Sequence, residues 1–241
     1  MHDDQKLHID TKVIHAGQRP EEVTGAVMPP IFTTSTYAQS SPGVHKGFEY
    51  TRSHNPTRYA LERMVARLEG STISEARDPS CGGFAFASGL AAMGTALELC
   101  DAGVHVVCMD DVYGGSNRLL SKVRARSQGL KVDYVDLTDL NKAESALKSE
   151  TAMVWVETPT NPTLKLVDLT EIAKIARKKS PKALLVCDNT FASSVNQTPL
   201  AHGFDIVLHS TTKYMNGHSD AVGGVLVSRG GDRNIVADLD I

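Results

Sequence analysis

The chain has 241 residues, a formal net charge of −3 and 41% hydrophobic residues. That is the make-up of an ordinary soluble chain with enough apolar material for one sizeable core or two small ones, and it removes the electrostatic reason to expect nucleic acid as a partner. No apolar run is long enough to span a bilayer, and the polar, charged stretch Met1 to Asp10 lacks the character of a secretory signal.

From the N-terminus to about Tyr50 there is little periodicity. Pro29-Pro30 and Ser41-Pro42-Gly43 mark an extended, turn-rich arm, of the kind that seldom packs only on its own subunit and can reach across to a partner. Tyr50-Thr51-Arg52-Ser53-His54-Asn55-Pro56-Thr57 closes it. A helix is expected next, with Leu61, Met64, Val65 and Leu68 on one face and Gly70 as its stop. A loop of small and polar residues carries Pro79, Gly82 and Gly83; its segment Ser74 to Cys81 has no evident purpose in the pattern.

Strands and helices then alternate. Strands are expected at Phe84–Ala87, Val104–Met109, Lys131–Val135, Ala152–Glu157, Ala183–Cys187, Ile206–Leu208 and Val222–Val227. Helices are expected at Gly89–Leu99, with Leu90, Met93 and Leu97 aligned, at Gly115–Ser127, at Leu140–Lys148, and after the cap Asp168 to about Lys179, with Leu169, Ile172 and Ile175 buried. Apolar strands that do not alternate are buried on both faces, as in a mostly parallel α/β sheet covered by helices. Chemistry in such sheets collects at the carboxyl ends of the strands. Cys81, Cys100, Cys108 and Cys187 make no metal-type pair. Cys108 and Cys187 fall inside apolar runs, which points to buried, reduced thiols and a cytoplasmic protein. The nine histidines are scattered without ligand spacing, so no metal site is expected.

The strand ends carry the informative residues. Ser88-Gly89-Leu90-Ala91 opens a helix whose free N–H groups can meet a phosphate, or simply packs strand on helix. The spaced glycines of a dinucleotide site are absent there, which counts against a nicotinamide protein. Tyr113, in Asp110-Asp111-Val112-Tyr113-Gly114-Gly115, can stack on a flat ring and move protons, or cover the sheet edge. Asn161, between Pro159 and Pro162, is either a fixed hydrogen-bonding group or a turn former. Asp188 is either the carboxylate partner of a protonated pyridine nitrogen or a turn aspartate. Lys213, four residues past Leu208-His209 and beside the hydroxyls of Ser210 and Thr212, sits where scarce water would favour a nucleophilic amine, or it snorkels to solvent. An imine-forming lysine beside phosphate donors is what a pyridoxal phosphate site needs.

With these residues in hand, the chain resembles the cysteine/methionine-metabolism family of pyridoxal phosphate enzymes, which includes cystathionine γ-lyase, cystathionine γ-synthase, cystathionine β-lyase, methionine γ-lyase and O-acetylhomoserine sulfhydrylase. The resemblance runs from about Thr11 to Ser228. It rests on Tyr50-Thr51-Arg52 with Asn55-Pro56-Thr57, Phe86-Ala87-Ser88-Gly89-Leu90-Ala91, Asp111-Val112-Tyr113-Gly114-Gly115, Glu157-Thr158-Pro159-Thr160-Asn161-Pro162, Asp188-Asn189-Thr190 and Ser210-Thr211-Thr212-Lys213-Tyr214. It implies pyridoxal 5'-phosphate as cofactor and the aspartate-aminotransferase-like fold (fold type I). It also implies residues 1–57 as an arm serving a neighbouring subunit, residues 58–241 as the large cofactor-binding domain, and a homotetramer built as a dimer of dimers. Lys213 matches the imine-forming lysine and proton shuttle, Asp188 the partner of the pyridine nitrogen, and Tyr113 the tyrosine on the ring. Ser88, Gly89, Leu90, Ser210 and Thr212 match the phosphate turn and its donors. Tyr50 and Arg52 match the pair that reaches the phosphate from the neighbouring subunit, and Asn161 the position near the ring hydroxyl and the substrate carboxylate.

The implied activity is γ-elimination of L-cystathionine to cysteine, 2-oxobutanoate and ammonia. The alternatives are γ-replacement, as in cystathionine γ-synthase or O-acetylhomoserine sulfhydrylase, and a truncated remnant that only binds cofactor. Gly115 stands where methionine γ-lyase-like members usually have cysteine, which lowers that activity in rank. The family's C-terminal domain is not in the 241 residues, and the arginine that anchors the substrate carboxylate is expected there. Arg229 and Arg233 follow the last strand without pointing to Lys213.

Overall fold

In the computed structural model, which describes residues 7–230 and Ile235, the arm is not wholly irregular. It holds a short helix, α1 (Ile9–His15), that buries none of its residues. A helix with no buried stripe leaves no apolar period in the sequence, which is why the pattern misses it. The rest of the arm runs as turns, with isolated bridges Thr36↔Tyr50 and Ser41↔Val44.

Helix α2 (Pro56–Glu69) begins where Asn55 accepts from the N–H groups of Thr57 and Arg58, with proline at the first helical position, and ends at Gly70 with φ 80°. Its buried face differs from the expected one. Tyr59, Glu62, Val65, Ala66 and Glu69 face inward, while Leu61 is exposed and Met64 and Leu68 are half-buried. Two glutamates replace leucines on the core side because each finds partners there. Glu62 accepts from Ala85 N at 2.9 Å and pairs with Arg58 at 3.2 Å, and burial pushes its carboxyl up to about 7. Glu69 bonds to His209 and Asn189.

The segment Ser74 to Cys81 has a structural purpose. Glu75 takes Arg63 of α2 at 2.9 Å and also pairs with Arg19, while Arg63 donates to Gly17 O at 3.0 Å. Asp78 caps the turn by accepting from Ser80 N, Ser80 Oγ and Gly82 N. The segment thereby staples the start of the arm to α2.

Beyond it come β1 (Gly83–Phe86), α3 (Gly89–Glu98), β2 (His105–Met109) and α4 (Gly114–Arg118). A π-helical stretch (Leu119–Arg124) carries α4 on into α5 (Ala125–Ser127). Then follow β3 (Lys131–Val135), α6 (Leu140–Ala146), β4 (Thr151–Glu157), α7 (Leu169–Lys179), β5 (Leu184–Asp188), α8 (Ser193–Asn196), a 3-10 turn (Pro199–His202), β6 (Ile206–His209) and β7 (Gly224–Ser228). The expected elements are all present, with ends moved by a few residues, as is usual for boundaries read from pattern alone. Asp168 caps α7 by accepting from Glu171 N; Leu169 and Ile172 are buried and Ile175 half-buried.

The seven strands form one mixed sheet in the order β1-β7-β6-β5-β4-β2-β3. β3, β2, β4, β5 and β6 are parallel neighbours, and β7 runs antiparallel to both β6 and β1. The fold is thus α/β, fold type I, with a mostly parallel sheet. Alternation across β6 and β7 shows helices on both faces there. Val207, Val225 and Val227 pack with Val65 and Ala66 of α2, whereas Ile206, Leu208 and Leu226 join the main core with Met93 and Leu97 of α3. Trp155 and Phe204 are fully buried in that core. All four cysteines are free and buried, and burial pushes the Cys187 and Cys108 thiols well above their ordinary range. Among the described residues no helix is long and apolar enough to cross a membrane.

Candidate active site

Because β7 runs antiparallel to both β6 and β1, the carboxyl ends of β1, β2, β4, β5 and β6 and the start of β7 all reach the same edge of the sheet. A cavity of about 240 Å³ opens there. Of the residues expected at a site, Ser88, Gly89, Leu90, Tyr113, Asn161, Asp188, Ser210, Thr212 and Lys213 line it together. They come from five separate strand ends, spread from residue 88 to residue 213.

One wall is built for an anion. Ser88 caps α3 by accepting from Ala91 N at 3.1 Å, so the N–H groups of Gly89 and Leu90, in the first turn, have no intrahelical acceptor. Gly89 lies against the turn after β6: a Cβ there would sit 2.7 Å from Ser210 Cβ. Only glycine lets the helix end and Ser210 come this close. The Thr212 hydroxyl is already engaged, donating to Gly223 O at 3.2 Å and accepting from Gly223 N at 3.1 Å. Of the two expected hydroxyl donors, therefore, Ser210 is the freer, and Thr212 holds the turn against β7.

The opposite end is acidic. Asp188 closes β5, and its Oδ1 accepts from Thr190 N at 3.1 Å and Thr190 Oγ1 at 2.5 Å. Oδ2 has no hydrogen bond among the described residues. Burial pushes this carboxyl above the usual carboxylate range; the two Thr190 bonds and a positive charge on His209 act the other way. Thr190 Oγ1 also accepts from Ser210 N at 2.9 Å, so one threonine links the acidic end to the anion turn. Behind them the fully buried His209 and Glu69 meet at 2.5 Å.

The two long walls carry Tyr113 and Asn161. Tyr113 is 48% exposed. Its ring lies over Gly115, and an added Cβ at Gly115 would collide with ring carbon Cε1. A cysteine in that place would require the ring to move. Asn161 stands in a turn tied down by Asp111, which accepts from Thr160 Oγ1 at 2.5 Å, from Thr163 N at 3.1 Å and from Thr163 Oγ1. Between the two walls, Glu157 accepts from the backbone N–H of both Tyr113 and Asn161.

Lys213 differs from expectation in one respect. β6 stops at His209, and the turn that follows carries Lys213 to the cavity rim, where it is exposed in this chain rather than shielded by the strand. Tyr50 and Arg52 do not line the cavity. They sit together on the arm, with the Arg52 guanidinium 5.1 Å from the centre of the Tyr50 ring. Arg58 of α2 holds their loop by donating to the carbonyls of Thr51, Arg52 and Ser53. Arg229 leaves β7 at the far edge of the sheet and pairs with Asp205 at 3.6 Å; Arg233 lies outside the described residues. Among the described residues no arginine lines the cavity.

Sequence reasoning passed over Glu157, Thr190, Ser116 and Phe191, which also line it. Glu157 and Thr190 lay inside stretches already singled out, and their place next to named residues was the available signal.

A family model described as Cys/Met metabolism PLP-dependent enzyme matches residues 10–238. A cystathionine beta-lyase of Coxiella burnetii is 58% identical over 234 residues, covering 97% of this chain and 57% of that protein. A probable cystathionine gamma-synthase of Herpetosiphon aurantiacus is 49% identical, covering 90% of this chain and 65% of that protein. The crystal structure of cystathionine gamma-lyase from Lactobacillus plantarum complexed with L-serine superposes with a TM-score of 0.88 at 39% identity, over 97% of this chain and 57% of that one. The chain therefore spans between half and two thirds of the length of these relatives.

Proposed function

The chain belongs to the Cys/Met metabolism PLP-dependent enzyme family, and from that premise we propose that it carries the cofactor site of a trans-sulfuration enzyme that cleaves L-cystathionine by γ-elimination. What supports this reading is the meeting, in one cavity, of an amine (Lys213), a ring-sized aromatic (Tyr113), a buried carboxylate with one free oxygen (Asp188) and an anion turn (Gly89, Leu90, Ser210).

Pyridoxal phosphate, when bound, supplies a carbonyl for the substrate amine and a ring that stores electrons. The chain's own residues do the rest in this proposal. The α3 N-terminus and Ser210 hold the phosphate, and Asp188 accepts a hydrogen bond from the ring nitrogen and keeps it protonated. Tyr113 covers one ring face. Asn161 meets the ring hydroxyl and the substrate carboxylate. Lys213 would hold the cofactor through its amine and would carry protons between Cα, Cβ and the departing Cγ side of the substrate. Its place on an exposed turn suits a base that must reach several atoms.

Two other outcomes have specific support: β-elimination from the 58% identical relative, and γ-replacement from the probable gamma-synthase. The products decide. With cystathionine and water, γ-elimination releases cysteine, 2-oxobutanoate and ammonia, whereas β-elimination releases homocysteine, pyruvate and ammonia. Turnover only with an activated homoserine plus cysteine would replace the lyase reading by γ-replacement.

The arm enters the proposal through Tyr50 and Arg52, which this chain keeps away from its own cavity. A guanidinium can grip two phosphate oxygens at once, which lysine cannot copy. Mixing inactive Arg52→Ala subunits with inactive Lys213→Ala subunits should restore activity, because some hybrid sites receive both intact residues. Hybrids that form and stay inactive would place the arm's action within its own subunit.

A further inference from the structure

Glu157 and Asp188 end neighbouring parallel strands as directly paired residues, and both are buried at the cavity floor. Among the described residues neither has a lysine or arginine within ion-pair distance. Two such carboxyls side by side cannot both ionise cheaply. Asp188 has a reason to be the ionised one, since its Oδ1 takes two bonds from Thr190 and Oδ2 remains for a ring N–H.

Glu157 does something different with its oxygens. Oε1 accepts from Asn161 N at 2.8 Å and from Tyr113 N at 3.1 Å, and Oε2 accepts from Tyr113 N at 2.9 Å. Tyr113 follows β2 and Asn161 follows β4, so a single side chain ties together the two turns that bracket the ring site. Both N–H groups converge on Oε1. An uncharged carboxyl, or an amide of the same length that gives up the Oε2 contact, can still accept both through Oε1.

We infer that Glu157 is a positioning residue whose reach, not its charge, sets Tyr113 and Asn161 on either side of the cofactor ring. The inference rests on the pyridoxal phosphate reading above. Burial, and then the charge of Asp188, push the Glu157 carboxyl up to about 8, in keeping with a group that works in its protonated form at neutral pH.

The test sets two conservative variants of the intact holoenzyme against each other. Glu157→Gln keeps the length and loses the charge; Glu157→Asp keeps the charge and is one methylene too short to reach both turns. Each is loaded with pyridoxal phosphate and read in two ways: visible circular dichroism per bound cofactor, which reports ring orientation, and kcat/KM. Glu157→Gln should stay within about threefold of wild type with unchanged dichroism. Glu157→Asp should lose dichroism amplitude and fall by on the order of tenfold to a hundredfold, the effect of an ångström-scale misplacement. If Glu157→Gln fails as badly as Glu157→Asp, the charge matters and the inference is overturned. It is equally overturned if Glu157→Asp matches wild type. Wild-type protein that binds no pyridoxal phosphate would instead defeat the proposed function.

Discussion

Replacing Lys213 by alanine should lower kcat/KM by on the order of 10⁴-fold or more while leaving the fold intact. Two separate roles are lost together: the amine that holds the cofactor covalently, and the base that moves protons between substrate carbons. Neither is supplied by a neighbour, because among the described residues no other lysine lines the cavity. Lys213 is exposed on a turn after β6 and forms no part of the core, so its removal costs no packing. The direct check is chemical. Borohydride reduction of the wild-type protein loaded with pyridoxal phosphate should fix the cofactor to the peptide containing Lys213, and Lys213→Ala should take up no label. A label on a different lysine would remove the assignment of the site.

Asp188→Asn should cost on the order of a thousandfold in kcat, with far less effect on folding. The asparagine fills the same volume and keeps an oxygen for Thr190, but it carries no charge to hold a protonated ring nitrogen, and the electron-storing power of the ring depends on that proton. The pH dependence has a definite sign. Burial raises the Asp188 carboxyl above the usual carboxylate range, so in the cofactor-free protein the ionised form is lost as pH falls through that raised value. Cofactor affinity should therefore weaken on acidification sooner than an exposed aspartate would cause. Titrating apoprotein with pyridoxal phosphate across acidic pH should show this step in wild type and not in Asp188→Asn. The same acid limb in both proteins would mean that another group controls binding.

Much of the cavity lining was legible in the sequence because most of the expected residues lie at or just after the end of a short apolar run, and apolar runs are what the sequence displays most clearly. Ser88, Tyr113, Asp188 and Ser210 each follow such a run within a few residues, and the sheet brings all four to one cavity. The side of α2 that faces inward was not legible. Leu61, Met64 and Leu68 form the better apolar stripe, yet Glu62 and Glu69 take the core side because an N–H, an arginine, a histidine and an asparagine wait there for them. A buried carboxyl is tolerated only when its partners are in place, and all of these but Arg58 lie in β1, β6 and the turn after β5, far from α2 in the chain.

By itself, then, the order of residues determined the alternation of strands and helices, and its motifs carried the resemblance to a pyridoxal phosphate family that makes Lys213, Asp188 and Tyr113 candidate site residues. The alternation follows from local pattern, the period of apolar residues and the caps, whereas the family and the candidate roles follow from the likeness of the strand-end motifs to those of known enzymes. Only the tertiary structure decided that β7 runs antiparallel, that Lys213 stands at the rim, that the Thr212 hydroxyl is occupied by Gly223 while the Ser210 hydroxyl has no hydrogen bond among the described residues, and that Glu157 joins the Tyr113 and Asn161 turns. Each of these is a relation between segments distant in sequence. It depends on which strand lies beside which and on where each one stops, and no local period or residue type encodes that.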